Sequence, residues 1–271
     1  MVQLVDRANV LGVGVHTVGL QDTASILETQ IREKRKGYVC LAGVHGIMEA
    51  QRNPQLTSIF ADASLVVPDG MPIVWISHLQ GFAATQRVFG PDLMADIMGS
   101  AQFRNCVHFL CGGEDGVADR LRDEMVRRFP WVKIAGTYSP PFRSLTNAEE
   151  QTFIAKVRTL QPDIIWMGIS TPKQEIFMAH YLPMLDTTLM IGVGAAFLFH
   201  TDAIRDSPEW VKRAGMQWLH RLSQEPKRLW KRYLWNNPLF IIYVFLQIIG
   251  WKRYTLKTSS LQSQLCVYDS H

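Results

Sequence analysis

Short apolar runs rich in β-branched residues recur from Val10 to Val193, and a longer segment with helical periodicity follows most of them. Apolar strands that alternate with helices of about ten or more residues indicate a mainly parallel sheet with helices on both faces. The runs predict strands at Val10–Val15, Tyr38–Ala42, Ser64–Val67, Val107–Cys111, Val132–Thr137, Asp163–Gly168 and Leu189–Val193. The periodic segments predict helices at Asp22–Arg35, His45–Arg52, Met71–Leu79, Pro91–Phe103, Gly113–Phe129, Asn147–Leu160 and Lys173–His180. We therefore predict a single α/β core over residues 1–204.

The C-terminal part has a different composition. Residues 205–257 contain eleven Lys/Arg and three Asp/Glu, whereas the remainder has 17 basic and 21 acidic residues. An amphipathic helix is predicted over Pro208–Gln224, and Glu225-Pro226 interrupts it. The apolar run Leu239–Ile249 follows, flanked on both sides by aromatic and basic residues. We predict a helical appendage over residues 205–254 and a flexible tail over 255–271.

The apolar run in the appendage is too short to cross a bilayer. Its eleven residues would span about 16 Å as a helix, roughly half a hydrocarbon core. Aromatic and basic flanks are typical of a segment that lies in the membrane interface. The alternative is a buried C-terminal helix or an oligomer contact. We favour an anionic membrane surface as the partner, and a nucleic acid is disfavoured because the basic stretch is interleaved with apolar residues.

Composition and the cysteines exclude several classes of protein. The chain of 271 residues is 47% apolar and 19% charged, as in globular proteins. We find no secretory signal and no apolar window long enough for a transmembrane helix. Four cysteines without a C-x-x-C pair favour reduced core thiols, and they are Cys40, Cys106, Cys111 and Cys266. These features predict a cytoplasmic protein.

Asp69 is the first candidate functional residue. Ligands of parallel α/β sheets bind beyond the carboxyl ends of the strands, and Asp69 lies between a predicted strand and a predicted helix. A carboxylate at such a point can act as a general base. By residue type alone, capping of the helix that follows is the better interpretation, because aspartate is common at N-caps.

Glycine turns follow two further strands. Gly112 and Gly113 lie between a strand and a helix, where backbone N–H groups can approach a phosphate. Gly194 follows another strand but lacks the complete dinucleotide-binding fingerprint. Either turn can also use glycine for geometry alone.

The loop after Gly168 carries three polar candidates. Lys173, Gln174 and Glu175 can contact a polar ligand such as a ribose or a sugar diphosphate. The alternative is that Thr171 caps a helix whose first residue is Pro172, with Gln174 completing a capping box.

Three other residues allow more than one interpretation. His45 is isolated in the sequence, which is more often true of a packed or capping histidine than of a ligand. Arg87 and Asp92 can form a surface ion pair or line the cleft. We find no Asp-x-Asp clamp, P-loop, G-x-S-x-G or H-E-x-x-H, so no metal site is predicted.

Six segments taken together resemble the WecG/TagA/CpsF glycosyltransferases. They occur in order and cover nearly the whole chain to Tyr233. They are PDGMPIVW at 68–75, RVFGPDLM at 87–94, LCGGEDGVADRL at 110–121, PDIIWMGISTPKQE at 162–175, IGVGAAF at 191–197 and GMQWLHRLSQEPKRLWKRY at 215–233.

The resemblance implies a Rossmann-like fold and a reaction. Such enzymes move a sugar from a UDP-sugar to a polyprenyl-diphosphate-linked saccharide at the cytoplasmic face of the plasma membrane, with inversion and without a metal or other cofactor. Asp69 would be the general base. The nucleotide-sugar would lie near Gly112, Gly113, Lys173, Gln174 and Glu175, and the implied process is bacterial cell-envelope or exopolysaccharide biosynthesis.

The departing diphosphate needs positive charge when no metal clamp is available. Arginine pairs bidentately with phosphate, which makes Arg221, Arg228 and Arg232 candidates. Each can instead bind lipid headgroups or lie on a solvated helix face. Further candidates for substrate contacts are His45, Arg87, Asp92 and Gly194.

The sequence departs from the family pattern at three places. The stretch Leu41-Ala42-Gly43-Val44-His45 stands where the family often has Thr-x-Asn, so polar contacts to donor or acceptor are expected to be lost there or taken over by His45. Phe197-Leu198-Phe199 replaces Phe-Asp-Phe, and Gln217 replaces a frequent Glu. These changes leave the sugar open among N-acetylmannosamine, its uronic acid and glucose.

Two other functions fit parts of the sequence. A nucleotide-sugar oxidoreductase or epimerase is disfavoured by the incomplete glycine fingerprints. A non-catalytic membrane adaptor with the same fold would tolerate Asp69→Asn. The sequence also permits a homo-oligomer.

Overall fold

The chain contains one parallel sheet, one small hairpin and a series of helices. The computed structural model describes residues 5–257, so Cys266 and most of the tail predicted at 255–271 lie outside the described residues. The strands are β1 Arg7–Val10, β2 Val13–His16, β3 Gly37–Ala42, β4 Leu65–Pro68, β5 Val107–Gly112, β6 Lys133–Tyr138, β7 Ile164–Gly168 and β8 Leu189–Gly192. The helices are α1 Leu20–Arg32, α2 Val44–Arg52, α3 Pro54–Asp62, α4 Met71–Leu79, α5 Gly90–Gly99, α6 Val117–Arg128, α7 Asn147–Leu160, α8 Lys173–Tyr181, α9 Ala196–His200, α10 Glu209–Arg213, α11 Gln217–Gln224 and α12 Pro226–Ile248.

The main sheet has six strands in the order β4-β3-β8-β7-β5-β6 and is flanked by helices, which confirms the predicted α/β class. The inner strands are buried on both faces, and Phe109, Ile165 and Trp166 are fully buried. Such strands read as continuous apolar runs rather than as alternating ones. That is why the sequence located them within one or two residues.

The chain divides into two compact units. The first contains the described residues up to Gly19, Leu41–Val88 and the described residues from Asp206 onward. The second contains Leu20–Cys40 and Phe89–Arg205. Each unit brings together its own set of candidate residues.

The predicted strand Val10–Val15 is wrong. Leu11 and Gly12 have φ of 51° and 86°, so the chain turns there and β1 pairs antiparallel with β2. Left-handed conformations at two successive residues make the tight turn of a hairpin. The Asn9 side chain stabilises this turn by accepting a hydrogen bond from Gly12 N over 2.8 Å.

The predicted helix Pro208–Gln224 is two helices, α10 and α11. They are separated at Gly215, which has φ of 68°. A Cβ built on Gly215 would lie 2.7 Å from the Trp75 ring, so this close approach also requires glycine. The predicted break at Glu225-Pro226 is confirmed, because α11 ends at Gln224 and α12 begins at Pro226.

Candidate active site

Asp69 lies immediately after β4 and does not cap the helix that follows. Its backbone N–H donates to the carbonyl of Ala42 at the end of β3 over 3.1 Å. A methyl group built on Gly43 would lie 3.9 Å from Asp69 Oδ2, so the carboxylate lies over the end of the neighbouring strand. Gly70, not Asp69, occupies the N-cap position of α4, and that position makes no side-chain capping hydrogen bond. The capping alternative for Asp69 is therefore wrong.

An arginine cluster surrounds Glu225 at the junction of α11 and α12. Arg221 donates to the Glu225 carboxylate over 3.0 Å, and Arg228 donates to it over 2.7 Å. Burial raises the pKa of Glu225, but hydrogen bonds from Arg228 and Arg221 outweigh burial and hold the pKa below its ordinary value. Glu225 thus carries a negative charge that organises two of the three predicted arginines.

Arg232 lies one helical turn beyond Arg228 and has a different environment. Its Nε is buried and makes no hydrogen bond with any residue of the described range 5–257. Burial lowers the pKa of Arg232, and the neighbouring charges that act on it include Asp69, which raises the pKa. Arg232 is therefore a partly buried guanidinium within electrostatic reach of the carboxylate at the end of β4.

Arg87 flanks the same strand end. Val88 N donates to the carbonyl of Pro68 over 2.8 Å, so this loop runs beside the end of β4. The Arg87 guanidinium donates to the side-chain carbonyl of Gln217, and the Gln217 amide donates to Asp206 over 3.2 Å. The predicted contact residue Arg87 is thus linked to the first residue of α11.

His45 contacts the protein through its ring. The Asn236 amide donates to Nδ1 of His45 over 3.1 Å, and Glu49 Oε1 lies 3.7 Å from the same nitrogen. Asn236 also accepts a hydrogen bond of 2.6 Å from Arg52. His45 stands next to the Gly43–Asp69 contact, but its ring binds α12 at Asn236.

In the second unit, Gly112 and Gly113 form a turn that excludes any side chain. A Cβ on Gly112 would lie 2.6 Å from the backbone of Gly168, and one on Gly113 would lie 2.7 Å from Val117. Both have positive φ, 147° and 75°. The turn therefore requires glycine for backbone geometry, and a role in phosphate binding stays a prediction.

The polar residues after β7 divide into an exposed one and two buried ones. Lys173 is exposed and donates to the carbonyl of Phe142 over 2.8 Å. Gln174 and Glu175 are buried. The Gln174 amide bridges the turn after β8, because it accepts from Gly194 N over 3.1 Å and donates to Gly192 O over 3.3 Å.

The capping box predicted at this loop is wrong. Pro172 is the N-cap of α8, and no side chain caps the helix. The Thr171 hydroxyl instead donates to the Glu175 carboxylate over 2.9 Å. Asp92, the remaining candidate of the second unit, is exposed in the first turn of α5, where its negative charge interacts favourably with the helix dipole.

Helix α12 turns two amide side chains towards the protein and many of its large apolar side chains outwards. Asn236 is 4% exposed, and Gln247 donates to the Asn9 carbonyl over 2.9 Å and accepts from Leu11 N over 3.1 Å. The large apolar side chains on the opposite side of α12 are exposed, and they are Trp230, Leu234, Trp235, Ile241, Ile242, Phe245 and Ile248, with Ile249 just beyond the helix. No helix in the described part of the chain is both long and apolar enough to span a bilayer.

Comparison with known families settles which enzymes this chain is related to. Residues 8–254 match the profile described as the glycosyl transferase WecG/TagA/CpsF family. The chain belongs to this family. The resemblance recognised in the sequence motifs is thus confirmed over almost all described residues.

Curated relatives of this WecG/TagA/CpsF protein carry a common name. They are N-acetylglucosaminyldiphosphoundecaprenol N-acetyl-beta-D-mannosaminyltransferases. The one from Bacillus spizizenii is 27% identical over 227 residues, which cover 83% of this chain and 85% of the relative. The one from Staphylococcus aureus is 22% identical over 246 residues, which cover 87% of this chain and 93% of the relative.

Two residues of this WecG/TagA/CpsF chain were not identified from the sequence. The sequence indicates Glu225 only as part of a helix break, although in the structure it forms ion pairs with Arg221 and Arg228. Asn236 was not singled out, although two adjacent asparagines inside an otherwise basic, aromatic and apolar segment are an unusual pattern. A buried amide in such a helix indicates a specific hydrogen-bond partner.

Proposed function

We propose that the protein is an inverting glycosyltransferase that moves a sugar from a UDP-sugar to a polyprenyl-diphosphate-linked saccharide at the cytoplasmic face of the plasma membrane. The observation that carries the proposal is the position of Asp69 at a strand end, without a capping role, with Arg232 among its neighbouring charges. Membership in a glycosyltransferase family and the names of the relatives support it.

Inversion needs a single displacement with one base. The Asp69 carboxylate takes the proton of the acceptor hydroxyl while the oxygen of that hydroxyl attacks the anomeric carbon of the donor sugar. The bond from that carbon to the diphosphate oxygen breaks, and UDP leaves with the bonding electrons. Arg232 lies in a partly buried position where a guanidinium stabilises the developing negative charge more strongly than it would in water.

The strand-end residues of the second unit are proposed as donor contacts. Gly112 and Gly113 form the turn at the end of β5, where the Gly113 N–H already donates to the Gly168 carbonyl over 3.1 Å, and Lys173 is the exposed cation of that set. Gln174 and Glu175 are buried, so Gln174 is proposed to hold the turn at Gly194 in place, while Glu175 accepts hydrogen bonds from Thr171 and Gln174.

The test is acceptor-dependent UDP release by the full-length protein in detergent. A panel of UDP-sugars is offered with and without a polyprenyl-diphosphate-linked N-acetylglucosamine acceptor. We expect release with one donor, dependent on the acceptor, and a product with the inverted anomeric configuration by NMR. No release with any donor, together with no UDP binding by calorimetry, contradicts the proposal and favours a non-catalytic adaptor.

The orientation of α12 supports an anionic bilayer as the surface on which the enzyme works. Its exposed apolar side chains recur three and four residues apart, which is the spacing of one helix face. Lys227, Lys231, Lys252 and Arg253 lie near its two ends and are exposed. Each such cation contributes about 1 kcal/mol near an anionic membrane surface.

Ile241→Glu combined with Phe245→Glu is expected to release the protein from vesicles. Both side chains are more than half exposed, so the fold loses little, while two charges enter the acyl boundary. The measurement is co-sedimentation with phosphatidylglycerol-containing liposomes, and Val126→Glu on α6 is the control, at an exposed apolar residue outside α12. Unchanged sedimentation of the double variant contradicts the membrane role.

A further inference from the structure

Asn236 is buried, and both the oxygen and the nitrogen of its side-chain amide make hydrogen bonds. Its carbonyl oxygen accepts 2.6 Å from Arg52, and its amide nitrogen donates 3.1 Å to Nδ1 of His45. Arg52 is itself fixed by Glu49, one turn earlier in α2, over 2.9 Å. Three residues of α2 thus bind or support one residue of α12.

These contacts lie beside the candidate base. Helix α2 begins at Val44, directly after Gly43, whose Cβ position lies 3.9 Å from Asp69 Oδ2. Arg232 precedes Asn236 by four residues, so the two side chains lie on the same face of α12, one above the other. A contact that fixes Asn236 against α2 therefore also fixes where Arg232 points.

Apolar packing alone does not define this position well. Leu229 and Phe240 are the buried apolar residues of α12, and most of its other large apolar side chains face outward. Apolar contacts are non-directional, whereas a shift of one residue along a helix moves a side chain by about 1.5 Å and rotates it by about 100°. Such a shift breaks both hydrogen bonds of Asn236, in the way that a single buried asparagine fixes the register of a coiled coil.

We propose that Asn236, bound to His45 and Arg52, is a positioning residue that holds Arg232 beside Asp69. The inference rests on the proposed function, because Arg232 is the group through which Asn236 acts on the reaction. It also gives His45 a role: this histidine is part of the contact between α2 and α12, not a ligand for the sugar.

The test is a double-mutant cycle with Asn236→Leu and Arg232→Met in the transfer assay in detergent. Asn236→Leu is expected to lower kcat at least tenfold, with the donor KM within twofold of wild type, because an interaction made in the transition state is lost. Added to Arg232→Met, it is expected to cause no further loss, since coupled residues are non-additive. Asn237→Leu, one position along the same helix, is the matched control and keeps its kcat.

A purely structural role for Asn236 gives a different pattern. In that case the losses from Asn236→Leu and Arg232→Met multiply, and the proposal is overturned. An unchanged kcat in Asn236→Leu overturns it as well.

A second measurement separates this inference from the proposed reaction. Asn236→Leu, but not Asn237→Leu, is expected to speed amide hydrogen exchange in residues 44–52 and 226–236, because their mutual contact is lost. If wild-type protein transfers no sugar at all, the proposed function fails, and exchange still reports on the contact. Equal exchange in the two variants overturns the positioning role whatever the reaction is.

Discussion

Asp69→Asn is expected to lower acceptor-dependent UDP release by about 10²–10⁴-fold, the usual contribution of a general base. Asparagine has nearly the same shape but cannot accept the proton of the acceptor hydroxyl. Because Asp69 caps no helix, the substitution removes no helix cap, and the melting temperature should stay within a few degrees of wild type. The measurement is UDP release at saturating donor and acceptor, beside thermal unfolding.

The control removes a carboxylate elsewhere in the same unit. Asp62→Asn changes the last residue of α3 and should keep wild-type turnover. Equal turnover in Asp69→Asn and Asp62→Asn means that Asp69 is not the base. An adaptor without catalytic activity predicts that outcome.

Arg232→Met is expected to lower kcat by about 10²–10³-fold, as the loss of one preorganised charge-stabilising group does in other enzymes. The same change should not lower the melting temperature. The Nε of Arg232 is buried without a hydrogen bond in the described part of the chain, and burial already lowers its pKa, so the native state carries a desolvation cost there. Methionine keeps the apolar stem and removes that cost.

A large loss of kcat without a loss of melting temperature distinguishes this role from a structural one. A residue that stabilises the fold would lose stability and keep turnover, and that pattern contradicts the assignment of Arg232. Arg213→Ala is the matched control, because Arg213 is an exposed arginine of the same appendage. It should change neither turnover nor melting temperature.

Much of the sheet could be predicted because its strands are apolar on both faces. Helix α7 was predicted at Asn147–Leu160 with both ends correct, since Thr146 and Glu149 form a capping box that fixes its start. The hairpin was missed because the turn at Leu11-Gly12 lies within an apolar run that looks like one strand. Helix α3 was missed as well, although Asn53 caps it and Pro54 is its first residue.

The candidate site was predictable in part. Asp69 could be identified because ligands of α/β sheets bind at the strand ends. Whether Asp69 or Gly70 is the N-cap of α4 could be seen only in the structure. The burial of Gln174 could not be read from a loop sequence, because it depends on hydrogen bonds to Gly192 and Gly194 at and just after the end of β8. Glu175 in turn accepts a hydrogen bond from Gln174. The partner of His45 lies 191 positions away, at Asn236, and no local pattern indicates such a contact.

The two faces of α12 differ in how many substitutions they should tolerate. We propose that the outer face of α12 meets lipid, which has no fixed shape. We therefore expect Ile241, Ile242 and Phe245 to exchange among apolar residues of different size with little effect. Asn236 and Gln247 meet partners at fixed positions, and few other side chains offer both a donor and an acceptor there. Across variants of this enzyme, the amides of the helix should therefore be the constant positions and its large apolar residues the interchangeable ones, the reverse of an ordinary surface helix.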